Sequence, residues 1–181
     1  MVMRFLQGYR NAWLMAVALV VLPPGSVQAE VIHKAKSSFS IRFEEVIARD
    51  NAAVFKALGQ LPEWWSSDHT YSGSAGNLSM ELLAGGCFCE RWDDSSVEHL
   101  RVIFALQDRE VRLTGGLGPL QSLPVNGLMQ WRITPAESGS ILTWEYQVWG
   151  APGTNLEALA APVEQVLGEQ LRGLKEFLNR Q

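Results

Sequence analysis

The chain is short of nearly everything that names a reaction. It has no G-x-S-x-G nucleophile elbow, no G-x-x-x-x-G-K-[ST] phosphate cradle and no G-x-G-x-x-G after a strand. The glycines of Gly115-Gly116-Leu117-Gly118 have no lysine behind them and suit a loop better than a phosphate. No cofactor is indicated. Basic residues are sparse and unclustered, with 15 Lys and Arg against 19 Asp and Glu, which argues against nucleic acid as a partner. The three histidines, His33, His69 and His99, lack ligand spacing, so the pattern offers no metal site. Cysteine amounts to Cys87 and Cys89, two apart in a predicted strand with both side chains on one face. So small a ring is hard to close. Two packed thiols are the simpler state, and a reactive disulfide is the other.

Long apolar runs are scarce too. Residues 13–22 form one of about ten, too short for the ~20 that span hydrocarbon. Arg4 and Arg10 precede it, Pro23-Pro24-Gly25 breaks it, and Val27-Gln28-Ala29 supplies small residues. That order predicts a secretory signal over 1–29, cleaved after Ala29, and a periplasmic or secreted protein with no stable membrane span. Residues 30–181 are then one acidic domain, uninterrupted by repeats or linkers and large enough for one core.

What the chain does have is alternation. Residues 38–48 set Phe39, Ile41 and Phe43 against Ser40, Arg42 and Glu44, a half-buried strand. Asp50 caps a predicted helix through Leu58, ended by Gly59, and Pro62 opens a second short helix carrying Trp64 and Trp65. Six strands follow, near 78–83, 87–92, 97–107, 110–116, 127–134 and 140–149, with a tight hairpin at Asp108-Arg109. From Leu156 to the end, leucines and valines recur at helical period, with Pro162 kinking the helix or starting its main segment. The prediction is an α+β fold. An antiparallel sheet of about seven strands packs on a long C-terminal helix, with two short helices after the first strand.

The phrases WWSSDHTYSG, LLAGGCFCERW, VEHLRVIF, LTGGLGPLQ and VEQVLGEQLRGLKEFL, between residues 64 and 178, carry a further signal that extends over about residues 38–178. They resemble the START-like superfamily of helix-grip proteins, also called SRPBCC or polyketide cyclase/dehydrase-like, and within it a bacterial exported subgroup. The resemblance implies a curved sheet gripping the C-terminal helix around a deep cavity for an apolar ligand. None of the phrases is a catalytic signature. Some relatives stimulate a chaperone ATPase, a role that an export signal counts against.

Alternation also sorts the candidate site residues. Leu100, Val102, Phe104 and Leu106 are expected inward, leaving His99 and Arg101 outside. Met129, Trp131 and Ile133 share one inner face, and Leu142, Trp144, Tyr146 and Val148 another. Phe88, Glu90 and Trp92 face inward opposite the cysteines. An acid between two aromatics would have a raised pKa and serve as general acid or base; otherwise Glu90 meets solvent, Arg112 or Arg132. His69, beside Tyr71, is the second proton-transfer candidate. Trp64 and Trp65, about 100° apart, divide between core and pocket rim. The stretch 115–126, apolar through Leu117, Leu120 and Leu123, is a candidate wall or lid. The predicted ligand contacts are Trp64, Trp65, Tyr71, Phe88, Trp92, Leu117, Leu120, Trp131 and Tyr146. Two functions follow: an exported binding protein for a hydrophobic, aromatic or lipid-like small molecule, or a cyclase/dehydratase-type enzyme using Glu90 and His69.

Overall fold

The computed structural model describes residues 28–181, so the predicted signal lies outside the described residues except for its last two positions. Eight strands form one curved, open antiparallel sheet in the order β1-β2-β8-β7-β6-β5-β4-β3. They are β1 (Gln28–Ala35), β2 (Ser38–Ile47), β3 (Leu78–Met80), β4 (Cys87–Trp92), β5 (Ser95–Leu106), β6 (Glu110–Thr114), β7 (Val125–Ala136) and β8 (Gly139–Gly150). The extra strand relative to the sequence prediction is β1, an edge strand whose mostly exposed residues give no clear apolar alternation. Among the described residues, no helix is long and apolar enough to cross a membrane.

Period-two alternation sets the inner face. Phe39, Ile41 and Phe43 of β2, Met129, Trp131 and Ile133 of β7, and Leu142, Trp144, Tyr146 and Val148 of β8 are all buried. Helix α1 (Asn51–Leu58) is capped by Asp50, whose carboxylate accepts the Ala53 N–H at 2.8 Å, and Gly59 ends it. The turn opened by Pro62 is 3-10 (Leu61–Glu63), with Trp64 and Trp65 just past it. Helix α2 (Ala160–Asn179) lies across the sheet on Leu167, Leu171, Leu174 and Leu178, with Pro162 in its first turn, where no N–H is needed.

One glycine of α2 matters for this packing. A Cβ on Gly173 would come within 2.3 Å of the Trp64 carbonyl oxygen, so the helix backbone rests almost directly on the double-tryptophan turn. Two ties fix the helix laterally. The Lys175 ammonium donates to Glu45 at 2.6 Å, and buried Gln170 accepts the Ser66 N–H at 2.8 Å.

Strand β5 departs from simple alternation twice. Cys89 pairs with Glu98 and Phe88 with Leu100, leaving His99 as an extra residue. Val102 pairs with Leu113 and Phe104 with Arg112, leaving Ile103 as a second. The first bulge turns His99 inward beside Leu100, against the outward position expected of it. The second puts Phe104 on the outer face, under the Arg112 guanidinium at 4.4 Å, and exposes Leu106. Both were expected inward. Cys87 and Cys89 are joined as a disulfide, with their Cα atoms 5.2 Å apart.

Candidate functional site

Between sheet and α2 lies a cavity of about 550 Å³, inside the range of small-molecule sites. Val163, Val166 and Leu167 of α2 form one wall, and Leu117, Leu120 and Leu123 of the 115–126 stretch face them. Trp65, Tyr71 and His99 close the third side. The lining is overwhelmingly apolar, and among the described residues that line it there is no Lys or Arg.

The leucine-bearing wall is fastened from below. The Tyr146 hydroxyl accepts the Leu117 N–H at 2.9 Å and donates to the Gly115 carbonyl at 3.0 Å. Burial pushes that phenol well above its ordinary pKa, with the Leu117 bond pulling weakly the other way, so it stays a neutral donor and acceptor. Gly127 makes room for it, because a Cβ there would sit 2.9 Å from the hydroxyl oxygen and 2.6 Å from the Gly115 carbonyl.

The chemical interest is concentrated in Glu90 and His99. The Glu90 carboxylate is fully buried and accepts three N–H groups: Ser72 on Oε1 at 2.5 Å, Tyr71 on Oε2 at 3.0 Å, and His99 Nε2 on Oε2 at 2.9 Å. Burial alone would push its pKa up. The bonds from Ser72, Tyr71 and His99 together outweigh burial and hold it below the usual 4.5. Glu90 is therefore an ionised acceptor, opposite to the raised pKa expected of an acid between aromatics, and its partner is a histidine, not an arginine. His99 is pressed between Tyr71, stacked at 5.8 Å, and Phe88 at 5.0 Å. Burial lowers its pKa below 6.5, and Glu90 only partly offsets this. Its Nδ1 is buried without a hydrogen-bond partner.

These shifts have a sign that can be checked. A histidine with a depressed folded pKa binds fewer protons folded than unfolded, so stability is lost as pH falls below about 6.5. Glu90 adds a second loss below 4.5. Ring-proton NMR should give His99 a midpoint below 6.5, and one still lower in Glu90→Gln, where the charge that favours the imidazolium is gone. A wild-type midpoint at or above 6.5 would reject this electrostatic account.

The other predicted residues scatter. His69 lines the mouth of the cavity, where its Nδ1 accepts from Gln170 at 3.0 Å and stands 3.6 Å from Glu169. Trp64 and Trp65 are 5 % and 6 % exposed, so neither is at the surface; Trp65 lines the cavity and Trp64 belongs to the core, donating to the Ala57 carbonyl at 2.8 Å. Tyr71, Leu117 and Leu120 line the cavity as well. Phe88 stands behind Trp65 and His99, Trp131 and Tyr146 are in the core, and Trp92 is half-buried at the end of β4; none of these four is in the lining. Sequence reasoning missed His99, because a bulge reverses its face, and Gln170, a polar residue inside a leucine stripe.

No protein-family model matches the chain, and no curated protein matches it. Solved structures do. An uncharacterized protein from Rhizobium leguminosarum aligns over 87 % of this chain and 100 % of its own, with a TM-score of 0.61 and 16 % identity. CalU16 from Micromonospora echinospora aligns over 78 % of this chain and 74 % of its own, at 0.55 and 15 %. StfQ, a di-domain ARO/CYC from the steffimycin biosynthetic pathway, aligns over 80 % of this chain and 52 % of its own, at 0.54 and 16 %. At such identities the likeness is one of fold. The chain has a helix-grip fold.

Proposed function

We propose that the chain is an exported binding protein for a hydrophobic or aromatic small molecule, held between the sheet and α2. The observation that carries this is an apolar cavity of about 550 Å³ lined in part by His99, whose Nδ1 is buried and unpartnered. An apolar wall supplies affinity through area removed from water, and a lone polar atom supplies orientation. Membership of the START-like superfamily is part of the proposal, supported by the fold and the phrases quoted above. Export rests on the order of basic, apolar and small residues before Glu30. Cleavage after Ala29 would take two residues from β1 and leave the rest of its pairing with β2 in place.

Nile red, a neutral apolar dye, provides the test. It should raise the unfolding temperature in a concentration-dependent way, by the few degrees that correspond to about 2.7 kcal/mol at a hundredfold excess over Kd. Filling the cavity by Val166→Trp should abolish the shift without unfolding the protein. A shift of equal size in that variant would place the dye elsewhere and reject the reading. Intact mass of protein recovered from its own cells should begin at Glu30.

A second reading is favoured by one observation, the Glu90–His99 bond at 2.9 Å on a histidine that lines the cavity. A carboxylate behind a histidine is the arrangement that orients a general base. In a cyclase/dehydratase-type enzyme His99 would take the proton and Glu90 would position it, with His69 left at the mouth. Deuterium exchange at the α-carbons of bound 2-tetralone measures this directly. Exchange above buffer that vanishes in His99→Phe supports the enzyme, and exchange at the buffer rate leaves binding alone.

A further inference from the structure

This step rests on the small-molecule reading and concerns which molecules the cavity accepts. Glu90 has a backbone N–H aimed at each of its oxygens, from Ser72 and Tyr71, a setting that holds a carboxyl group as acceptor. The third bond, to His99 at 2.9 Å, then needs its proton on Nε2. A neutral imidazole protonated at Nε2 has a bare lone pair at Nδ1. That atom is buried and unpartnered, on a side chain that lines the cavity. The other charged groups nearby share one sign. Asp68 lines the mouth, Glu169 stands beside His69, and no Lys or Arg lines the cavity among the described residues.

We infer that the cavity selects neutral, largely apolar molecules whose inner end carries a hydroxyl or N–H donor for His99 Nδ1, and that it rejects free carboxylates. A hydrocarbon would leave the nitrogen unpaired, as would a methyl ether. A carboxylate would meet a lone pair with the Glu90 charge one ring behind it and no cation in the lining to neutralise it. Glu90 is thus a specificity-determining residue that touches no ligand. Glutamine at that position can donate its amide N–H to Nε2, which moves the ring proton to Nδ1 and turns the anchor from acceptor into donor.

Calorimetric titration of the signal-free protein at pH 7.5 with matched naphthalenes tests this, with Nile red as a probe indifferent to the anchor. The neutral donor 2-naphthol should bind at least about tenfold tighter than 2-methoxynaphthalene, the size expected of one buried hydrogen bond. The anion 2-naphthoate should bind most weakly of the three. In His99→Phe the naphthol preference should vanish, and in Glu90→Gln the acceptor 2-acetylnaphthalene should overtake 2-naphthol. Equal affinities for naphthol and its ether, or tightest binding of naphthoate, overturn the inference while Nile red binding keeps the cavity reading intact. Failure of Nile red and every naphthalene brings both down. If Glu90→Gln does not fold, nitrogen NMR of the wild-type histidine rings decides: a proton on His99 Nε2 with a bare Nδ1 supports the inference, and a proton on Nδ1 ends it.

Discussion

Glu90→Ala should lower the melting temperature by roughly 10 °C, the shift that corresponds to a loss of about 3–5 kcal/mol in a chain of this size. The reason is the number of donors the carboxylate serves. Its removal leaves the Tyr71 N–H, the Ser72 N–H and His99 Nε2 without their shared acceptor in a buried site. A buried donor left unsatisfied costs about 1–3 kcal/mol each time. Glu90→Gln keeps one acceptor oxygen and one donor, so it should fall between wild type and alanine. Urea unfolding with an unchanged m-value would assign the loss to stability alone. A change below about 1 kcal/mol for the alanine variant would mean that water replaces the carboxylate. The loop at residues 70–74 would then hold its shape without it.

Gly173→Ala should destabilise by roughly 2 kcal/mol, with the opposite sign to the usual effect of that change in a helix. Replacing a mid-helix glycine by alanine normally stabilises by about 1 kcal/mol. Here the new methyl would lie 2.3 Å from the Trp64 carbonyl oxygen, a backbone atom that moves only with the whole turn. Overpacking of that kind costs about 1–3 kcal/mol or more, and outweighs the propensity gain. The same helix supplies its own control. A methyl on Gly168 would meet the Phe43 ring at 3.5 Å, ordinary van der Waals contact, so Gly168→Ala should stabilise by about 0.5–1 kcal/mol. Opposite signs from two glycines five residues apart would show that proximity to Trp64 sets the result. Stabilisation by Gly173→Ala would mean that α2 sits further from the double-tryptophan turn than described.

The layers of this fold were legible because they depend on periodicity. Alternation in β2, β7 and β8 and the leucine stripe of α2 each follow from a strand or helix having one dry face. The apolar 115–126 stretch was legible as a cavity wall for a related reason, since leucines among glycines and prolines must be covered by something. What stayed hidden depends on single residues meeting across the fold. The face of His99 follows from which residue of β4 pairs with Glu98, and no local pattern in β5 records it. The ionisation of Glu90 is set by backbone N–H groups eighteen and nineteen residues away, which composition does not reveal. Gln170 reads as a flaw in a stripe until Ser66 and His69 are placed against it.

The disulfide on the outer face bears on the cavity in a way that its position alone hides. Two residues along an extended strand lie about 6.6 Å apart, and the Cα atoms of the bridged Cys87 and Cys89 are 5.2 Å apart. Opposite that shortened length β5 runs the three steps from Arg101 to Glu98, with His99 as the extra residue. The bulge that turns His99 toward the cavity and the covalent bridge on the other face therefore occupy the same step of the sheet.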